Sequence, residues 1–412
     1  MTPIASTSPL VATLANGIRI VASRQHSPVS YVGVAVNAGS RDDFQALPGV
    51  AHFVEHTIFK GTPTRKSRAV SSRMESIGGE LNAYTTKEET LVYTNAPAGY
   101  VDRALDLLAD LLENACFPAE EIDTERNVIT EEIFSYRDNP VDAVYDEFDE
   151  LIFRGSPLAH NILGTEQSVA EITSADARRF IETRYAPERM VVYIVDPDDP
   201  ERNIRKAERY FSRFPARKAE IFRQTPAPLA EAFCEKRDGD NHQNNNIIGT
   251  RLPGRTDSRR HALFLFNNWL GGPAMNSRLN QQLRERRGLV YSVDSSLALY
   301  SDAGEMQIYY GCEPKATDKC ASLITREIHA AASSLMPEKT FEQVKRQYCG
   351  QLTVGYENRE NRAMSLAKSL IYYNEVRGLE QMVEGAMGVT REQFRAAAEL
   401  IASSPLCRLT LA

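Results

Sequence analysis

Cysteine is scarce in this chain and carries no pairing pattern. Six residues (Cys116, Cys234, Cys312, Cys320, Cys349 and Cys407) are scattered through 412, with no CxxC pair. Such spacing argues against a disulfide framework or a zinc knuckle and suits free thiols in a reducing compartment. Long apolar runs are missing too, none approaching the ~18 residues of a membrane span. An excess of positive charge is absent: 48 Lys and Arg against 55 Asp and Glu leave a formal net charge of −7. That balance argues against nucleic acid or an anionic membrane as the main partner. The opening Met1-Thr2-Pro3-Ile4-Ala5-Ser6 lacks a basic stretch followed by an apolar one, so no signal peptide is expected and a cytoplasmic location follows. With 42 % hydrophobic residues, a chain of this length can bury two cores.

Punctuation by turn residues organises what is present. Two alternating apolar runs flank Asn16-Gly17 and predict a β-hairpin. Strands are expected at 31–37, 91–95 and 190–195, and helices near 65–77 and 100–115. A helix introduced by Pro118 should run to about Arg137 and close at Asp138-Asn139-Pro140. Thr173 with Asp176, and Thr390 with Gln393, read as helix starts. The Pro-rich stretch around 214–230 reads as a linker. The expected organisation is therefore α+β, with domains at 1–213 and 231–412 and a faint suggestion of duplication.

Histidine is rare, at seven residues, yet two of them stand in His52-Phe53-Val54-Glu55-His56. On a helix, residues four apart lie only ~40° apart around the axis, so both imidazoles project side by side. Two such imidazoles can supply two of the three protein ligands of an open zinc site. Glu55 points ~60° to the other side of His52, within reach of a water activated by the metal.

The third ligand can be sought by helical phase. Ile122, Ile129 and Ile133 mark the buried stripe of the helix that follows Pro118. Glu125 and Glu132 fall together on the edge of that stripe, while Glu131 falls on the far side. Carboxylates at the rim of an apolar face are costly unless paired or metal-bound. Helical phase thus favours Glu132 as ligand with Glu125 supporting the site, although an ordinary solvated edge would give the same pattern.

The combined pattern resembles the inverzincin zinc peptidases of the pitrilysin family, M16. Glu132 follows His56 by 76 residues, with Glu125 seven before it. HFVEHTIFKGT at 52–62 is close to the family's metal helix, and Gly78-Gly79-Glu80-Leu81-Asn82-Ala83-Tyr84-Thr85 resembles its GGxxNAxT strand. Pro157-Leu158 and Ile162-Leu163-Gly164-Thr165 match a later segment, and Leu283-Arg284 with Gly288 and Tyr291 resembles an arginine–tyrosine pair. The length fits the two-domain bacterial and mitochondrial-processing-peptidase-like branch.

The resemblance implies two homologous α/β-sandwich domains in a clamshell, one Zn2+ per subunit held by His52, His56 and Glu132, and Glu55 as general base. It implies that Asn82 and Ala83 bind an extended peptide by edge pairing, and that Tyr291 and Arg284 hold the oxyanion or a substrate carbonyl. Gly78 and Gly79 could simply end a helix, Asn82 could close a turn, and Tyr291 could be an ordinary strand aromatic. The implied activity is endoproteolysis of peptides or unfolded segments by a homodimer or a heterodimer with a related subunit. The rival reading is a non-catalytic structural or partner subunit. Relatives of that kind typically lack a ligand or the base, and this chain lacks neither.

Overall fold

The computed structural model describes residues 8–239 and 242–412. Met1–Ser6, read above for a signal peptide, lies outside them. Two compact units emerge, and neither is continuous in sequence. Of the described residues, the first comprises those within Met1–Phe134, His160–Gln224 and Asn358–Arg377; the second comprises those within Ser135–Ala159, Thr225–Glu357 and Gly378–Ala412.

Besides a two-residue pairing of Gly61–Thr62 with Arg65–Lys66, the first unit has the strands β1 (Leu10–Thr13), β2 (Arg19–Arg24), β3 (Val29–Val36), β4 (Glu80–Thr85), β5 (Thr90–Pro97) and β6 (Met190–Asp196). The six labelled strands form one sheet in the order β1-β2-β6-β3-β5-β4. Only β2 and β6 run parallel. The hairpin at Asn16-Gly17 sets Thr13 opposite Arg19. Val34 is flanked by Val92 on β5 and Val192 on β6.

Both faces of this sheet are apolar. Ile20, Val34, Val192 and Ile194 pack with the helices Val50–Thr57 and Val101–Asn114 on one side. Their neighbours Val21, Ala35, Val191, Tyr193 and Val195 point the other way. That second face is covered by Ala363, Met364, Leu366, Ala367 and Leu370 of the helix Arg359–Tyr373. A sheet apolar on both faces needs a layer on each, and here the outer layer comes from late in the chain. Lys368 Nζ, 2.6 Å from the buried carboxylate of Glu89, and Tyr372, which donates to the same group, key this helix to the turn after β4.

The second unit has strands β7 (Cys234–Arg237), β8 (Asn244–Leu252), β9 (Val290–Leu299), β10 (Gly304–Cys312) and β11 (Cys407–Leu411), in the order β9-β10-β8-β11-β7. Its β11–β7 pair is parallel and the others antiparallel. The same order and senses hold for β4-β5-β3-β6-β2 in the first unit, so the fold is duplicated where the sequence showed only a faint likeness. Residues from helices Arg260–Gly271, Thr317–Ser333 and Arg391–Ser403 build its core on one face. On the other face, Ala143, Val144 and Phe148 of the helix Pro140–Ile152 pack with Ile247, Tyr309 and Leu409.

The contiguous division at 214–230 therefore differs from the compact units. Pro140–Ile152, from the first half, lies in the second unit, and Arg359–Tyr373, from the second half, lies in the first. The reason is the apolar outer face that each sheet presents. The helix at 140–152 escapes the sequence reading because Asn139-Pro140 looks like a stop. It is also a start: the Asn139 side chain accepts the Val141 N–H at 3.1 Å and Pro140 opens the new helix. Residues 215–230 carry neither helix nor strand. Among the described residues no helix is long and apolar enough to cross a membrane.

If the exchanged helix is structural, Leu370→Ala, which opens a hole in the apolar layer on the outer face of the sheet, should destabilise the protein by ~2–5 kcal/mol. Urea unfolding measures this, and unchanged stability would contradict the assigned role.

Candidate metal centre

The helix Val50–Thr57 buries Val50, Phe53, Val54 and Thr57, an i, i+3, i+4, i+7 stripe. Its remaining face presents His52, Glu55 and His56. Asp43 holds the helix start: its carboxylate oxygens accept the N–H groups of Gly49 (2.6 Å) and Ala51 (2.8 Å). Gly49 sits at φ +94°, and a Cβ there would lie 2.7 Å from the Leu163 carbonyl oxygen and 2.8 Å from Gly164 Cα. The Ile162–Thr165 segment thus packs on the root of the histidine helix, which only glycine allows.

Ala119–Asp138 supplies the carboxylates. Ile122 and Ile129 are buried and Ile133 partly so, Glu125 is buried beside them, and Glu131 is exposed. Glu132 Oε2 lies 3.7 Å from His52 Nε2 and 3.4 Å from His56 Nε2. The three ligand atoms fall within 4.8 Å of one another. Around a tetrahedral ion with bonds of 2.0–2.1 Å, neighbouring donors sit about 3.3 Å apart. The donor set and its spacing therefore fit zinc.

His56 is oriented from behind. Its Nδ1 lies 3.1 Å from Glu125 Oε2, so an Nδ1–H donating there leaves the Nε2 lone pair facing Glu132. Lys60 Nζ lies 2.5 Å from the other oxygen of Glu125. His52 Nδ1, by contrast, is buried with no hydrogen-bond partner among the described residues. Packing holds that ring, its centroid 4.6 Å from that of His56.

Electrostatics separate the two imidazoles. Burial, together with the charge of His56, lowers the pKa of His52 to about 4, against the pull of Glu132. Burial would lower His56 too, but bonds to Glu132 and Glu125 outweigh it and raise its pKa. The bond from His56 holds Glu132 below its ordinary value despite burial. Burial raises Glu55, against hydrogen bonds with Thr85. Glu55 Oε2 is buried and without a hydrogen-bond partner among the described residues, free to take a proton.

The strand β4 pairs with β5 alone, leaving its other edge open among the described residues. Asn82 is exposed on it, and its Oδ1 accepts the Ala83 N–H at 2.9 Å. The strand ends at Thr85, the partner of Glu55. Arg284 and Tyr291 belong to the second unit. Arg284 lies in the helical turn Asn280–Glu285 with Nε 3.8 Å from Glu285. Tyr291, on β9, is 80 % exposed.

Sequence reasoning missed Asp43, Lys60 and the partnership of Thr85 with Glu55. Lys60 had a signal, since it stands four after His56. Thr85 lay inside a quoted motif without a role. Asp43 had none, because its bonds skip six and eight residues.

Two family models match parts of the chain: "Insulinase (Peptidase family M16)" matches residues 19–166, and "Peptidase M16 inactive domain" matches 171–348. A Mycobacterium leprae protein described as an uncharacterized zinc protease is 34 % identical, over 94 % of this chain and 87 % of its own length. YmxG of Bacillus subtilis, described likewise, is 29 % identical, over 92 % of each chain. Among solved structures, a peptidase M16 inactive domain from Pseudomonas fluorescens superposes with TM-score 0.90 and 20 % identity, over 98 % of this chain and 97 % of that one. A protease from Helicobacter pylori gives the same score and identity, over 98 % and 99 %. At that identity the structures establish the fold.

Zinc uptake by the metal-free protein should depend on pH. His56 must lose its proton to bind a metal, so affinity falls as pH drops through its raised pKa and is regained above it. Titration calorimetry in buffers of different ionisation enthalpy measures affinity and proton release together. An affinity constant between about pH 5 and 8 would contradict the expectation.

Proposed function

Because the chain belongs to peptidase family M16, we propose that it is a zinc-dependent endopeptidase acting on peptides or unfolded polypeptide segments. The observation that carries this reading is the convergence of His52, His56 and Glu132 within 4.8 Å beside the buried carboxylate of Glu55. We assign the first three as ligands of one zinc ion per chain, with Glu125 orienting His56. Zinc bound there would supply Lewis-acid polarisation of the scissile carbonyl and acidify a water towards neutrality.

The protein's own groups do the rest. Glu55 takes the proton of the attacking water on its unpartnered oxygen and returns it to the leaving amine. Its raised pKa brings it nearer the working pH of a general base. Thr85 anchors the carboxylate for that transfer. An extended substrate pairs with the open edge of β4 at Asn82 and Ala83, reading backbone rather than side chains. A strand added there leads towards Thr85, and so towards the base. Arg284 and Tyr291 we assign to a substrate carbonyl and to the oxyanion, on their exposure and the family likeness. The working form is a homodimer or a pair with a related subunit; that this chain carries both residue sets favours self-sufficiency or a homodimer.

A partner subunit without activity of its own is the second reading, favoured by the "inactive domain" description matched by residues 171–348. Against it stands a donor set with no member missing. Cleavage of a quenched peptide separates the two. Glu55→Gln should lower the rate ~10²–10⁴-fold and leave zinc content unchanged. Chelation should abolish cleavage and added zinc restore it. Cleavage indifferent to Glu55→Gln would sink the peptidase reading.

A further inference from the structure

We propose that Lys60 is a positioning residue for His56, acting through Glu125; the inference rests on the zinc reading above. Lys60 ends the tight turn Ile58–Lys60 that prolongs the histidine helix, before Gly61 at φ +126°. It therefore projects one turn beyond His56, while Glu121 and Glu125 stand on successive turns of the facing helix. Lys60 Nζ is 2.5 Å from Glu125 Oε1 and 3.9 Å from Glu121 Oε2. Glu125 Oε2 is 3.1 Å from His56 Nδ1. One carboxylate thus spans an ammonium and an imidazole, with each oxygen committed to a different partner.

Burial gives this chain its consequence. An exposed ion pair contributes little, since water replaces either partner. Glu125, however, is only 7 % exposed. A buried carboxylate oxygen left without its ammonium seeks another donor, and the group turns. Turning moves Oε2 off His56 Nδ1, the bond that fixes which ring nitrogen faces Glu132. Arginine could make the same bond. Methionine, with a similar stem and no charge, could not.

Zinc dissociation constants from competition with a chromogenic chelator, at one pH, test the inference. The proteins are the unaltered chain, Lys60→Met, Lys60→Gln, Lys60→Arg, Glu125→Gln, the Lys60→Met/Glu125→Gln double variant and His52→Ala. Lys60→Met and Lys60→Gln should each weaken binding ~10-fold, and Glu125→Gln by ~10–100-fold. Lys60→Arg should recover most of the loss. The double variant should bind no more weakly than Glu125→Gln alone, because Lys60 has no other route to the metal. Multiplicative losses in the double variant, or neutral variants binding like the unaltered chain while His52→Ala does not, would overturn the role of Lys60 and leave the zinc site standing. Equal binding by the unaltered chain and His52→Ala would overturn the site itself, and this inference with it.

Discussion

Glu125 and Glu132 are held at the edge of an apolar helix face because two imidazoles and an ammonium meet them there. Removing a carboxylate from water is costly, and the cost is offset only by partners that are equally fixed. Burial of Ile122 and Ile129 brings the carboxylate helix onto the core. The stripe of Val50, Phe53, Val54 and Thr57 brings the histidine helix in from its own side. Once both stripes are buried, the residues on their edges must face one another. The candidate site is in this sense a by-product of core packing, made favourable by complementary charge.

The edge strand β4 depends on a different constraint. Its sheet is apolar on both faces, and one cover arrives from residues 359–373. Through Lys368 and Tyr372 that helix grips Glu89, just past the strand that ends at Thr85. The unit that holds the histidines is consequently incomplete without a piece of the chain's second half. The reverse holds for residues 140–152 in the second unit.

The two duplicated units are nonetheless asymmetric in what their helices carry. Five strands of the first sheet share the order of the second, and in each unit a helix follows the central strand across one face. In the second unit that helix, Arg260–Gly271, carries His261 and Asn268 but no pair of histidines four apart. One copy of the fold keeps the donor set, and the other keeps the architecture.

Local signals carried much of this molecule. The Asn16-Gly17 hairpin, the caps at Thr173 and Thr390 and the spacing of His52, Glu55 and His56 act over a few residues, so the sequence alone determines them. Helical phase extended that reach to Glu125 and Glu132, because a buried stripe dictates which side chains share its edge. Asp43, the bond of Thr85 to Glu55, the grip of Lys60 on Glu125 and the exchange of helices 140–152 and 359–373 were decided only by tertiary structure. Each joins segments with no common period, and for the exchanged helices apolar patterning states that a face must be buried without stating against what. A one-dimensional pattern records the demand for a partner; only packing in three dimensions chooses which segment meets it.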